Sequence, residues 1–215
     1  MSAHVPPEHR GPRAGSRAAA SQGAAGDAAG SREPAGDGAS QAAGERQRVC
    51  GPPTSGRYQV FVSRDSFKFN AAHFIAYPGF RERLHGHNYR VSVRVEGPVG
   101  ADGYVVDFGE IKRAANAVCR QLNERVLVPM RSDVLTIERE GGRVVLTCED
   151  GARFTFPESD CALLDIRHSS AEELAAFICM RLCDELTLLS ARGVAWLQVG
   201  VAEAPNQEAR YRIDL

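Results

Sequence analysis

The stretch Phe69–Tyr89 reads FNAAHFIAYPGFRERLHGHNY and holds His73, His85 and His87, three of the chain's six histidines. Directly after it, Tyr89–Val95 (YRVSVRV) alternates apolar and polar residues, the pattern of a half-buried strand. His85 and His87 stand two apart at the start of that strand, so both rings face one side of a sheet. Gly86 between them leaves the opposite side without a side chain. Tyr58–Phe69, with Val60 and Val62 in alternation, forms a preceding strand, and His73 follows it. If the two strands pair as a hairpin, the third imidazole joins the other two. Three neutral imidazoles with one open position are how proteins hold a catalytic zinc. An HxH pair is also common as polar strand-end surface, and spacing alone leaves both readings open.

The rest of the chain reads as mixed α and β. Gly103–Phe108 (GYVVDF) is expected as a short strand. Asp107 followed by Glu110 is a capping-box pattern opening a helix, in which Ile111, Ala115, Val118 and Leu122 make one apolar stripe. Val134–Glu138, Arg143–Cys148 and Ala152–Phe156 read as strands joined by Gly141-Gly142 and Asp150-Gly151, two-residue hairpin turns. Ser169 with Glu172 marks a second capping box. Leu174, Ile178, Leu182 and Leu186 then follow at helical spacing, with the helix ending near Gly193. Val194–Val201 and Ala209–Ile213 are closing strands. The strands come in antiparallel pairs rather than βαβ units. The expected fold class is therefore α+β: an antiparallel sheet with two helices on one face and a β-hairpin insert at 131–165.

Composition sets the boundaries. Residues 1–57 contain no Phe, Tyr, Trp, Ile or Leu and are mostly Ala, Gly, Ser, Pro and Arg. Such a segment has almost nothing apolar to offset its ordering entropy and is expected to be a disordered tail. An organelle transit peptide is the alternative, although Glu8, Asp27, Glu33, Asp37 and Glu45 break the acid-poor pattern of such peptides. Residues 58–215 form the folded domain. The net charge of −1 gives no global signal for nucleic acid or an anionic membrane. No apolar run approaches the roughly 20 residues of a membrane span. The six cysteines include no CxxC pair, a reduced, cytoplasmic pattern rather than a disulfide framework.

The motifs together resemble the 6-pyruvoyl-tetrahydropterin synthase family, which includes 6-carboxytetrahydropterin synthases. The resemblance covers essentially all of 58–215. It rests on Phe69-Asn70-Ala71-Ala72-His73, on His85-Gly86-His87-Asn88-Tyr89, on Gly103–Phe108 and Ser169–Glu172, and on Ala202-Glu203. It implies the tunnelling fold, a homo-oligomer built from trimers that stack into hexamers, and a small reduced pterin as substrate. It implies His73, His85 and His87 as ligands of Zn2+, Glu203 as the anchor of the pterin ring, and Ser170 and Glu172 as pocket residues. A carboxylate at 203 can accept two parallel N–H bonds from the pterin edge.

The chain departs from the usual pattern at the proton-transfer groups. Typical members carry a cysteine four residues before HGH, where Arg81 stands here, and an Asp-His pair where Asn123-Glu124 stands. Glu82 gives E-x-x-H-G-H instead. This is similar to a family subgroup in which glutamate replaces cysteine and 7,8-dihydroneopterin triphosphate is cleaved to 6-hydroxymethyl-7,8-dihydropterin, a folate precursor. The implied function is a zinc-dependent lyase with Glu82 as base, giving that product and/or 6-pyruvoyl-tetrahydropterin. His168 is a candidate second proton carrier or an ordinary loop histidine. Arg81 and Arg83 are candidates to steer a triphosphate. The alternatives are 6-carboxytetrahydropterin synthase and a non-catalytic pterin-binding scaffold. Deleting residues 1–56 is expected to leave turnover and melting temperature unchanged, as activity assays and calorimetry on the truncated protein would show; loss of assembly would move the boundary.

Overall fold

The computed structural model describes residues 56–215. The tail expectation for 1–57 therefore lies outside the described residues, except at its last two positions.

Strand β1 (Tyr58–His73) pairs antiparallel with β4 (His85–Gly97), and between them sits a small ribbon of β2 (Ala76–Tyr77) and β3 (Phe80–Arg81). Helix α1 spans Phe108–Leu122, followed by β5 (Arg125–Pro129). Three strands, β6 (Leu135–Glu140), β7 (Arg143–Cys148) and β8 (Arg153–Pro157), form a separate meander. A single 3-10 turn at Glu158–Asp160 leads into β9 (Cys161–Leu164). Helix α2 (Ala171–Glu185), β10 (Trp196–Ala204) and β11 (Gln207–Asp214) complete the chain. The main sheet has the order β11-β10-β4-β1-β5-β9.

The expected α+β architecture is present. Helix α1 packs on β1, and α2 on β10 and β11. Beneath them Phe67, Phe69, Val91, Val93, Leu197 and Val199 form a dry core with Ile111, Leu174 and Ile178. Strand β1 changes parity to serve it. Val60 and Val62 pair with Val95 and Val93, whereas Phe69 pairs with Tyr89, because the register shifts between Ser63 and Lys68. A bulge of this kind lets even-numbered residues before it and odd-numbered residues after it face the same core.

Several local expectations are corrected. The sheet is mixed, since β5 pairs parallel with both β1 and β9. Arg125–Pro129 carries no strand signature in the sequence, because a short apolar run lacks the alternation of a half-buried strand. Gly103–Phe108 is not a strand. Gly100 N–H donates to the Tyr104 carbonyl at 2.8 Å, and Val105 and Val106 are both buried. The segment has no ladder partner, and the two valines plug the core just before α1. Asp107 does cap α1, accepting from Gly109 N–H at 2.7 Å. Helix α2 is capped by Ser170, not Ser169, and stops at Glu185 rather than near Gly193, with turns between. In the meander, Gly141 and Gly142 both have positive φ, as a tight hairpin requires. Asp150-Gly151 instead lies within a longer connection, where Cys148 N–H donates to the Ala152 carbonyl at 2.9 Å. The meander has its own core, in which Phe74, Val144 and Leu146 pack with Phe154. None of the helices among the described residues is long and apolar enough to cross a membrane.

Ile178 is fully buried under α2, whereas Met180 is exposed on the same helix. Ile178→Ala is expected to cost about 2–5 kcal/mol in urea unfolding, and Met180→Ala less than about 0.5 kcal/mol.

Candidate active site

Four strand ends and one helix start meet at one edge of the core. His73 ends β1, His85 and His87 begin β4, Glu203 lies near the end of β10, and β11 returns from Gln207. The pairings His73↔His85, Ala71↔His87 and Phe69↔Tyr89 put all three histidines on the core-facing side of the sheet. Glu203 keeps the parity of the buried Leu197, Val199 and Val201. Gly86 sits at a close approach: a Cβ there would stand 3.1 Å from the Ala71 carbonyl oxygen, tighter than ordinary contact.

The three rings lie 4.7, 5.1 and 4.9 Å apart between centroids, and their candidate ligand nitrogens fall within 4.8 Å of one another. His73 is 2% exposed. Its Nδ1 lies 2.7 Å from the Ser169 carbonyl, which can only accept, so the proton is on Nδ1. Nε2 is then a buried lone pair with no hydrogen-bond partner. Burial pushes the ring's pKa down and keeps it neutral. His85 repeats the device, donating from Nδ1 to the Arg83 carbonyl at 2.8 Å. Backbone carbonyls behind the rings and bare nitrogens in front of them are what a metal ligand set needs. An orphaned buried nitrogen is otherwise costly. The residues present therefore fit a metal held by His73, His85 and His87.

A cavity of about 340 Å³ opens beside this cluster, lined by His73, His85, Glu82, Ser170, Glu172 and Glu203, with Ile75 and Gln207–Ala209. Six of the eight residues expected at the site thus line one cavity. His87 belongs to the cluster but faces neighbouring recesses. His168 stands outside the lining, with Nδ1 donating to the Ala76 carbonyl at 3.0 Å. Glu82 is pinned twice: its N–H donates to the Ile75 carbonyl at 2.9 Å, and its Oε2 accepts from Ile75 N–H at 3.0 Å. Ser170 Oγ accepts from Glu173 N–H at 3.3 Å, which moves the N-cap one residue along, while Glu173 Oε2 accepts from Arg167 N–H at 2.7 Å. Glu172 is thereby free of the capping role expected for it and lines the cavity. Arg81 does not point at the site. It pairs with Asp150 at 2.8 Å, so its expected part in steering a triphosphate is replaced by a structural one.

Two residues of the site were missed from sequence. Tyr89 lies beneath the rings, stacked on Phe69 at 4.6 Å, and donates to Glu203 Oε1 at 3.4 Å. Burial, reinforced by the Glu203 carboxylate, pushes its phenol well above the ordinary range and keeps it a donor. Its parity with His85 and His87 was the available signal. Ser169, fully buried, donates from Oγ to the Phe74 carbonyl at 3.1 Å while its own carbonyl holds His73. No sequence pattern marks that role. No cysteine lines the cavity among the described residues; burial pushes Cys119 and Cys179 up to about 12, as in inert core thiols.

A family model described as 6-pyruvoyl tetrahydropterin synthase matches residues 62–214. The chain belongs to the 6-pyruvoyl tetrahydropterin synthase family. The crystal structure of a Plasmodium vivax 6-pyruvoyl tetrahydropterin synthase is 42% identical, covers 75% of this chain and 100% of its own, and superposes with a TM-score of 0.73. Two variants of that protein, with a glutamate changed to alanine or cysteine, are described as catalytic residue mutants. A Methanocaldococcus jannaschii protein provisionally named 6-carboxy-5,6,7,8-tetrahydropterin synthase is 27% identical over 67% of this chain and 89% of its own. A Pyrococcus furiosus dihydroneopterin monophosphate aldolase is 39% identical over 59 residues, 27% of this chain and 50% of its own. Membership of the 6-pyruvoyl tetrahydropterin synthase family makes the protein a pterin enzyme of lyase type.

Replacing His85 or His87 with alanine is expected to abolish retention of a divalent metal while leaving the circular dichroism spectrum unchanged. Elemental analysis of the purified variants checks this, and full metal content in both would contradict the ligand set.

Proposed function

We propose that this protein is a zinc-dependent lyase that acts on 7,8-dihydroneopterin triphosphate with Glu82 as general base. Its product is 6-hydroxymethyl-7,8-dihydropterin, with 6-pyruvoyl-tetrahydropterin as the other outcome available to the same site. The observation that carries this reading is that Glu82 lines the same cavity as His73 and His85, one carboxylate oxygen anchored by Ile75 N–H. The catalytic glutamate of the Plasmodium vivax relative supports it, as does the lack of a cysteine in the cavity among the described residues.

His73, His85 and His87 hold the zinc, which supplies Lewis acidity towards a side-chain hydroxyl. Glu203 accepts the N–H groups of the pterin ring with Tyr89 behind it, and Ser170 and Glu172 close the wall. Glu82 takes the proton of the C2′ hydroxyl. The C1′–C2′ bond then breaks, C2′ leaves as a carbonyl, and the electron pair passes into the C6–N5 imine of the ring. A proton returned to C1′ completes the hydroxymethyl group. His168 is the alternative carrier for that return if its ring turns towards the cavity. The assembly proposed with this function is a homo-oligomer, a trimer or a hexamer. Its support here is the sheet face away from the helices, where Phe61 is 53% exposed beneath the Arg94 guanidinium.

A second reading, 6-carboxytetrahydropterin synthase, is favoured by the name of the Methanocaldococcus relative. The missing cysteine counts against it.

Glu82→Gln keeps the shape of the side chain but cannot take a proton. Turnover of 7,8-dihydroneopterin triphosphate is expected to fall by about 10²–10⁴ with metal content and pterin affinity unchanged. Wild-type turnover in this variant would remove Glu82 from the chemistry.

A further inference from the structure

The segment that delivers Glu82 has little support of its own. Its ribbon consists of two pairings, Ala76↔Arg81 and Tyr77↔Phe80. A two-stranded ribbon is marginal in water. Tyr77 and Phe80 stack at 4.7 Å and His168 Nδ1 holds the Ala76 carbonyl, and further support comes from the connection between β7 and β8. Gly79 N–H donates to Glu149 Oε2 at 3.1 Å. Arg81 Nε donates to Asp150 Oδ2 at 2.9 Å, with a second guanidinium nitrogen 2.8 Å from the same oxygen. Its Nη1 donates to the Glu82 carbonyl at 2.9 Å. The guanidinium also lies 5.6 Å from the centre of the Phe154 ring, which itself packs on Phe74 at 5.2 Å. One side chain thus joins the turn of the meander to the backbone of Glu82.

Asp150 is prepared for this contact. Its Oδ1 accepts from Ala152 N–H at 3.0 Å, leaving Oδ2 to face the guanidinium. The Arg81 guanidinium holds the Asp150 carboxyl below the usual carboxylate range, so the pair is charged at neutral pH. The other ion pairs of the meander, Arg139 with Glu158 and Arg153 with Glu138, stay within the insert.

We propose that the β6–β8 meander is a clamp for the catalytic loop, in which Asp150, through Arg81, positions Glu82 beside the histidine cluster. Asp150 and Arg81 are positioning residues, since neither lines the cavity. The inference rests on the reading of Glu82 as the base. Its physical content is that placement, more than binding, depends on the clamp. A displacement of about 1 Å at a reacting group can cost roughly a hundredfold in rate, whereas the substrate is held by Glu203 and the α2 start, which the clamp does not touch.

The test uses the full-length, metal-loaded protein. Asp150→Ala, Asp150→Asn and the exchanged pair Arg81→Asp with Asp150→Arg are compared with Arg139→Ala, which breaks an ion pair of the insert away from the loop. Two quantities are read: kcat and KM for 7,8-dihydroneopterin triphosphate, and hydrogen exchange at the Ile75 and Glu82 amides. Both Asp150 variants are expected to lower kcat by about tenfold with KM within about twofold, and to speed exchange at both amides by a similar factor. The exchanged pair restores the ion pair but not the bond to the Glu82 carbonyl, so it should recover only part of both, and Arg139→Ala should change neither. Wild-type kcat and exchange in Asp150→Ala would overturn the clamp, as would an equal loss in Arg139→Ala. If Glu82→Gln turns over at the wild-type rate, the base assignment fails by itself. Exchange at Ile75 then still decides the clamp: faster in Asp150→Ala upholds it, unchanged overturns it.

Discussion

Everything at the site depends on the register between β1 and β4. His73 stands opposite His85, Ala71 opposite His87 and Phe69 opposite Tyr89. Because side chains alternate along a strand, a slip of one residue would send His73 to the far face and separate the rings. The register is held by the core as much as by the backbone. Phe69 and Tyr89 are fully buried and stacked, and Val91, Val93 and Val95 continue the same face. A polar cluster is therefore built as the last two rungs of a hydrophobic ladder. The same ladder on β10 runs through Val199 and Val201 to Glu203.

Around that ladder, backbone groups set the state of the side chains. The turn before α2 contributes the Ser169 carbonyl to His73, and the Arg83 carbonyl does the same for His85. Helix α1 is fastened by its C-terminus: Asn123 Oδ1 accepts from Asn70 N–H at 2.9 Å, and Glu124 N–H donates to the Asn70 carbonyl at 2.6 Å. The two residues that replace the expected Asp-His pair thus anchor the strand that carries His73. A position that looks like a lost catalytic group in the sequence is occupied by a structural one.

The sequence carried most of this in patterns of period two and period three to four. The YRVSVRV alternation, the Ile111–Leu122 stripe and the Gly141-Gly142 turn each have a local physical cause, and each appears in the fold. Strands β5 and β9 were hidden because parallel strands buried on both sides do not alternate. Val105 and Val106 misled for the opposite reason, being strand-like residues in a plug. In the site, the histidines, Glu82, Ser170, Glu172 and Glu203 were legible from motifs. The Ser169 carbonyl behind His73 was not, nor was the Asp150 partner of Arg81, because those contacts span 96 and 69 positions of chain. The N-cap was misplaced by one residue because Ser169 and Ser170 offer the same hydroxyl, and only packing sends the first one inward.

The central claim is that this histidine cluster and Glu82 together cleave the side chain of a reduced pterin. Its most direct test is product identification by mass spectrometry after incubating the purified, zinc-loaded protein with 7,8-dihydroneopterin triphosphate. The account predicts 6-hydroxymethyl-7,8-dihydropterin, alone or with 6-pyruvoyl-tetrahydropterin. Conversion to 6-carboxytetrahydropterin, or unchanged substrate, would contradict it.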